Sequence, residues 1–206
     1  MRLVANIISI IFHPLWMITY GVIFAMLFTY LKIYPPLATA LIIGGVFFFT
    51  ALLPGSFIGW MVYRGSAKNL ELTDRKERLV PYLILIASVI TCGFFLNRMM
   101  MPSWVQFNVA AIVVALCICI LINTRWKISA HMLGIGGLMG ALMGVAKLMM
   151  LNPYGLFAAG FVSAGLLGWS RIYLGRHTPM QVYAGFSLGF VITLIASLLS
   201  FLLIFV

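Results

Sequence analysis

Apolar residues fill this chain in stretches of about twenty, each closed by a short polar break. Seven such stretches run near 4–31, 37–61, 81–100, 104–122, 131–150, 154–172 and 179–205. A run of about 20 apolar residues is the length a helix needs to cross the hydrocarbon core of a bilayer. The pattern therefore predicts an all-α, polytopic transmembrane helix bundle of about six to seven spans with short loops, a single integral membrane domain over 1–206. The breaks are punctuated as such a bundle requires. Pro35-Pro36, Pro102-Ser103 and Asn152-Pro153 make tight turns on one side. Trp60, Trp104, Trp126 and Trp169 lie near segment ends, where an interfacial aromatic belt falls. The first run is too long for a cleavable signal peptide.

The polar breaks on the other side are 64–78, 123–130 and 173–178. Two apolar segments separate the first from the second, and two more separate the second from the third. An even number of crossings returns the chain to the same face, so all three breaks are expected to meet at one membrane surface. Gly136, Gly140 and Gly144 recur every fourth residue on the fifth segment. Such a small-residue stripe lets another helix approach closely, and here it would hold two helix ends together.

Composition sharpens this picture. The chain is 64% hydrophobic and 8% charged, whereas soluble domains carry about 25% charged residues. The net charge of +10 comes from 13 Lys and Arg against three acids, Glu71, Asp74 and Glu77. The basic residues are scattered in short loops, which argues against nucleic acid and for headgroup-level contact with anionic lipid. Cys92, Cys117 and Cys119 lie in apolar runs without metal-ligand spacing and read as small buried hydrophobes.

Chemistry concentrates in two of the polar runs. Ser129-Ala130-His131 is one; the other runs from Ser170-Arg171 to His177, with Gln181 one helical turn later. An imidazole beside a hydroxyl and a guanidinium suits phosphoryl transfer, supplying a nucleophile or acid and donors for phosphate oxygens. These residues resemble the motifs of the type 2 phosphatidic acid phosphatase superfamily, integral membrane lipid phosphatases. Its third motif, Ser-Arg, five residues, His, three residues, Asp, is matched by Ser170, Arg171 and His177, with Gln181 at the Asp position. The second, Pro-Ser-Gly-His, is matched by Ser129 and His131. The first, Lys, six residues, Arg-Pro, is matched loosely by Lys68 and Arg75, with Lys76 in place of the proline. Arg78, followed by Pro81, is a rival for that arginine. The resemblance covers roughly residues 64–190.

The resemblance implies His177 as the nucleophile, forming a phosphohistidine, and His131 as the general acid. Arg171, Lys68 and Arg75 or Arg78 would hold phosphate oxygens, helped by Ser129 and Ser170. Gln181 would orient His177 through its carbonyl but without the charge of a carboxylate. Thr178-Pro179-Met180-Gln181 also reads as a capping box. No cofactor or metal is implied, and the partner is a membrane lipid carrying phosphate. His13 reads as an interfacial residue, and Arg64, Lys127 and Arg176 as loop charges at headgroup level. The alternatives are a silent lipid-phosphate binding or transport protein and a lipid phosphotransferase using the same pocket. A channel or secondary transporter ranks last, because the spans hold almost no ionisable residues at mid-depth. Bacterial members of such a family sit in the inner membrane and often work at its outer face. Loop charge points the other way: the motif face carries nine Lys and Arg against Lys32, Arg98 and Lys147 opposite. That leans the site toward the cytoplasm.

Overall fold

Proline and hydroxyl residues set where the helices begin. The computed structural model describes residues 1–66 and 75–202, without the side chains of 75, 76, 201 and 202. Helices α1 (Arg2–Ile11) and α2 (Pro14–Phe28) come first, then α3 (Pro36–Phe47) and α4 (Leu53–Tyr63), joined by a π-helical turn at Phe48–Leu52. The remainder are α5 (Leu79–Arg98), α6 (Ser103–Arg125), α7 (Ala130–Leu148), α8 (Tyr154–Tyr173) and α9 (Pro179–Leu202). Pro14 and Pro36 open their helices, where a missing N–H costs nothing. Ser129 caps α7, its hydroxyl accepting from the Met132 N–H.

The far ends close by one repeated device. Gly65, Met100, Met150 and Gly175 each adopt positive φ, at 73°, 57°, 53° and 67°. In each case the next residue's N–H reaches back to a carbonyl five positions earlier, as from Arg176 to Arg171 at 3.0 Å. The chain thus reverses within a few residues, and the short loops follow.

Six of these elements are long and apolar enough to cross a membrane: Pro36–Tyr63, α5, α6, α7, α8 and α9. The protein is an all-α, polytopic membrane bundle. The first apolar run departs from the single segment that its length suggests. It breaks at Phe12-His13, and α1 and α2 are bent by 54°. Pro14 is the reason: its ring cannot follow a helical Ile10 carbonyl. The carbonyls at the end of α1 are met by α2 side chains instead. Trp16 Nε1 donates to the Ile10 oxygen at 3.0 Å and the Tyr20 hydroxyl to the Ile11 oxygen at 3.1 Å.

The tightest helix pair is α7 with α9. A Cβ on Gly136 would strike the Phe186 carbonyl oxygen, and one on Gly140 the Phe190 carbonyl oxygen and Thr193 Oγ1. A Cβ on Gly189, from the facing helix, would strike the Leu133 carbonyl oxygen. Thr193 Oγ1 lies 2.8 Å from the Gly137 oxygen, a hydrogen bond across the seam. The small-residue stripe therefore holds two helices whose N-termini share one membrane face. Cys92 and Cys119 are buried as the sequence suggests, whereas Cys117 is exposed on the outer surface of α6.

Gly140→Ala is expected to lower stability by about 1–3 kcal/mol, because backbone atoms cannot yield to the new methyl group. Gly165→Ala, where nothing lies within 4 Å of the built Cβ, is expected to be neutral or stabilising by up to about 1 kcal/mol. Reversible unfolding of both variants in mixed micelles checks the contrast.

Candidate active site

Backbone geometry delivers His177. Gly175 in the left-handed region ends α8, and both the Arg176 and His177 N–H groups fold back on the Arg171 carbonyl, at 3.0 and 3.2 Å. The guanidinium and the imidazole of one motif are thereby brought to the same helix end. His177 then enters the start of α9. Its Nδ1 lies 3.0 Å from Gln181 Oε1, and the same oxygen lies 3.3 Å from the Thr178 N–H. The Gln181 N–H faces Thr178 Oγ1 at 3.5 Å. The capping box and the orienting contact therefore coexist. Because Oε1 already accepts from an N–H, the ring proton belongs on Nδ1, and Nε2 carries the lone pair.

His131 opens α7, beside the cap Ser129, and is buried. Two bonds join its loop to the His177 loop. Lys127 Nζ donates to the Arg176 carbonyl at 2.9 Å, and the Ser129 N–H reaches the Gln181 carbonyl at 3.4 Å. With the α7–α9 seam below, these hold the two histidine-bearing ends at one level.

A cavity of about 220 Å³ connects the site to the bundle interior. At one end its wall is formed by His13, Arg78, His131, Arg171 and His177. From there it runs between α2, α5, α6, α7 and α9 past Val22, Ala25, Leu85, Leu138 and Val145 to Met101 and Leu151 at the opposite turns. The shape is a cationic head on an apolar shaft. Among the described residues no carboxylate lines it, and no three His, Cys, Asp or Glu residues gather closely enough to hold a metal ion.

Arg78 and Arg171 are 5% and 3% exposed, so each guanidinium is held out of water. Arg78 Nη1 donates to the Ile128 carbonyl at 3.0 Å, tying it to the His131 loop. Arg171 Nη1 lies 3.2 Å from Ser9 Oγ. His177 sits outside the spans, and its pKa is pushed down to about 3. Burial is the largest cause; the Gln181 bond opposes it, and the charges of Arg78, Lys127 and Arg171 add to the depression. The ring is neutral at neutral pH.

Not every expected residue reaches the cavity wall. Ser129 caps α7, while Ser170 Oγ lies 2.7 Å from the Ala5 oxygen and 2.8 Å from Ser9 Oγ. Both serines are fully buried and position their neighbouring helices. Gln181 stands behind His177. Lys68 lies outside the described residues, as do Glu71 and Asp74, and the side chains of Arg75 and Lys76 are not described. Arg78 is seen in the wall. Lys127 is more than a loop charge, since it both staples the loops and acts on His177.

Two site residues escape sequence reasoning. His13 stands edge-on to His131, ring centroids 5.1 Å apart and planes at 81°. Ser9 bridges Ser170 and Arg171. Both come from α1 and its junction with α2. The available signal was His13-Pro14, an N-cap followed by an N1 proline, which marks a helix start inside the first apolar run.

The model of the PAP2 superfamily matches residues 108–204, a stretch holding Ser129, His131, Ser170, Arg171, His177 and Gln181. No curated protein and no solved structure matches the chain. The match coincides with the two histidine loops and the seam between α7 and α9, and residues 108–204 are similar to the PAP2 superfamily.

Proposed function

We propose that the protein is a metal-independent phosphatase of membrane lipids, hydrolysing a lipid phosphomonoester or pyrophosphate through a phosphohistidine intermediate, in a bacterial inner membrane. The observation that carries this reading is the cavity itself. Two buried guanidiniums and a neutral, oriented imidazole sit at the head of an apolar shaft that runs across the bundle. A phosphate on a long hydrocarbon chain fits both parts at once.

The chemistry follows from the positions. A phosphoryl group in transfer spreads negative charge over its equatorial oxygens, and Arg78 and Arg171 supply fixed donors for them. His177 Nε2 attacks phosphorus with its lone pair, and the bond to the lipid oxygen breaks. The leaving oxygen takes a proton from His131. Positive charge on the His177 ring is eased by Nδ1–H donation to Gln181 Oε1. Water then cleaves the P–N bond, returning a proton to His131 and releasing phosphate. His131 must be protonated for the first step, and a phosphate dianion held between the arginines would favour that state. Ser129, Ser170 and Gln181 position these groups, and Lys68 and Arg75 remain proposed phosphate ligands by their place in the first motif. Gln181 itself favours a second reading, a silent lipid-phosphate binding protein, because an amide stabilises an imidazolium less than a carboxylate does.

Purified protein is expected to release phosphate from lipid phosphates, with His177→Ala and His131→Ala lowering kcat by at least about 100-fold. Equal release by wild type and His177→Ala would remove the enzymatic reading and leave the binding one. Gln181→Ala is expected to lower kcat by about tenfold, the size of one lost hydrogen bond to a charged group. The pH dependence has a definite sign. The folded value of His177 lies below its unfolded value, so between them the unfolded chain binds the extra proton and stability falls as pH drops. The His177 ring signals in isotope-labelled protein should stay at neutral-imidazole positions from about pH 8 to about pH 5.

A further inference from the structure

Helix α1 lies outside the family match at residues 108–204, yet it packs along α8, the helix that carries Ser170 and Arg171. Ser9, buried on α1, meets that helix. Its Oγ lies 3.2 Å from Arg171 Nη1 and 2.8 Å from Ser170 Oγ. Ser170 Oγ donates its one proton to the Ala5 oxygen at 2.7 Å. The Ser9 hydroxyl therefore donates to Ser170, and its lone pairs accept from Arg171. The bonds run in one direction, from the guanidinium through two hydroxyls to a backbone carbonyl.

A second contact comes from the Ser9 backbone. A helix carbonyl ordinarily accepts from the N–H four residues on, but α1 ends before that bond forms. The Phe12 N–H goes to the Ile8 oxygen at 3.0 Å and the His13 N–H to the Ile10 oxygen at 3.2 Å. Pro14 has no N–H. These bonds pass over the Ser9 carbonyl, and the Ser9 backbone is instead a hydrogen-bond partner of the His131 ring. The Ser9 N–H lies inside α1, so the carbonyl is the group that meets the ring. A carbonyl only accepts, so the ring nitrogen facing it keeps a proton and the other nitrogen is left for the reaction. Gln181 Oε1 stands in the same relation to His177.

We infer that Ser9 is a positioning residue for two parts of the proposed reaction, its carbonyl fixing the ring of the acid His131 and its hydroxyl fixing Arg171 for phosphate. This rests on the phosphatase reading of the same site. The proline break in the first apolar run thereby has a chemical use, since it releases a backbone acceptor to an imidazole on another helix. When His131 holds the proton that it gives to the leaving oxygen, both ring N–H groups need acceptors. Ser9 supplies one, and the leaving oxygen is the other.

No side chain provides the carbonyl, so its test alters the backbone. An ester in place of the Ser9–Ile10 amide, made by incorporating the α-hydroxy analogue of Ile10, weakens the Ser9 carbonyl as an acceptor. The same change at the Ile7–Ile8 amide is the control, and each ester costs α1 one N–H. The chain has three histidines, so the ring nitrogens of His131 can be followed in isotope-labelled protein. The Ser9–Ile10 ester should shift those signals and lower kcat on phosphatidate or geranylgeranyl diphosphate about fivefold, the size of one weakened hydrogen bond; the control should do neither. Ser9→Ala tests the hydroxyl, with Ser9→Cys, closer in size, in its place should the first fail to fold. Full-length variant in detergent should bind orthophosphate about tenfold more weakly than wild type, the worth of one hydrogen bond to a charged group. Ring signals that respond equally to the two esters overturn the assignment. So does orthophosphate affinity unchanged in the Ser9 variant, or no orthophosphate binding by wild type. Release of no phosphate by wild type from either lipid overturns the phosphatase reading instead, and the ring signals and orthophosphate affinity still decide for Ser9.

Discussion

Close contact between α7 and α9 is the constraint on which the rest of the molecule depends. In a bilayer the hydrocarbon around a helix is as apolar as its neighbours, so helices gain little by hiding apolar surface from lipid. What holds them is fit and hydrogen bonding. Gly136, Gly140 and Gly144 on one helix, and Gly185 and Gly189 on the other, remove the side chains that would keep the backbones apart. Thr193 and Gly137 then bond across the seam. Because both helices begin at the same face, this contact sets the separation of the loops carrying His131 and His177.

The head of the cavity turns burial into chemistry. Arg78 and Arg171 are each almost fully enclosed in the bundle. Enclosure of cations raises the value of an incoming anion, since charge interactions strengthen as water is excluded. The same field and the same burial keep His177 neutral. One arrangement therefore does two things: in the proposed reaction it would draw in a phosphate, and it keeps the His177 ring unprotonated. Gln181 supplies orientation to this system without adding a negative charge that would undo it.

The N-terminal segment is an added part on this frame. A proline in an apolar run breaks it into α1 and α2, and the break lies beside His131. Ser9 reaches Ser170 and Arg171 from α1, and His13 reaches His131 from the cap of α2. The helix that would otherwise have crossed the membrane as a plain span is used to close one side of the pocket.

Much of this was legible in the chain. Runs of apolar residues set the number of helices, because length and hydropathy alone decide what can cross a bilayer. Parity of those crossings placed the three polar breaks on one face, and the spacing of Ser170, Arg171, His177 and Gln181 marked the chemistry. That spacing is local, since a helix end and a positive-φ glycine determine it within a few residues. What the chain did not disclose is nonlocal. Burial and the bond to the Ile128 carbonyl bring Arg78 into the wall. Ser129 and Ser170 have hydroxyls suited to phosphate, yet packing commits them to a helix cap and to α1. His13 looked like an interfacial residue because nothing within its own segment identifies its neighbour 118 positions away. Local sequence determines helices, caps and turn geometry, since those depend on residues within a turn of one another. Which imidazoles meet is decided only when helices distant in sequence pack, because that outcome depends on the shape of both surfaces.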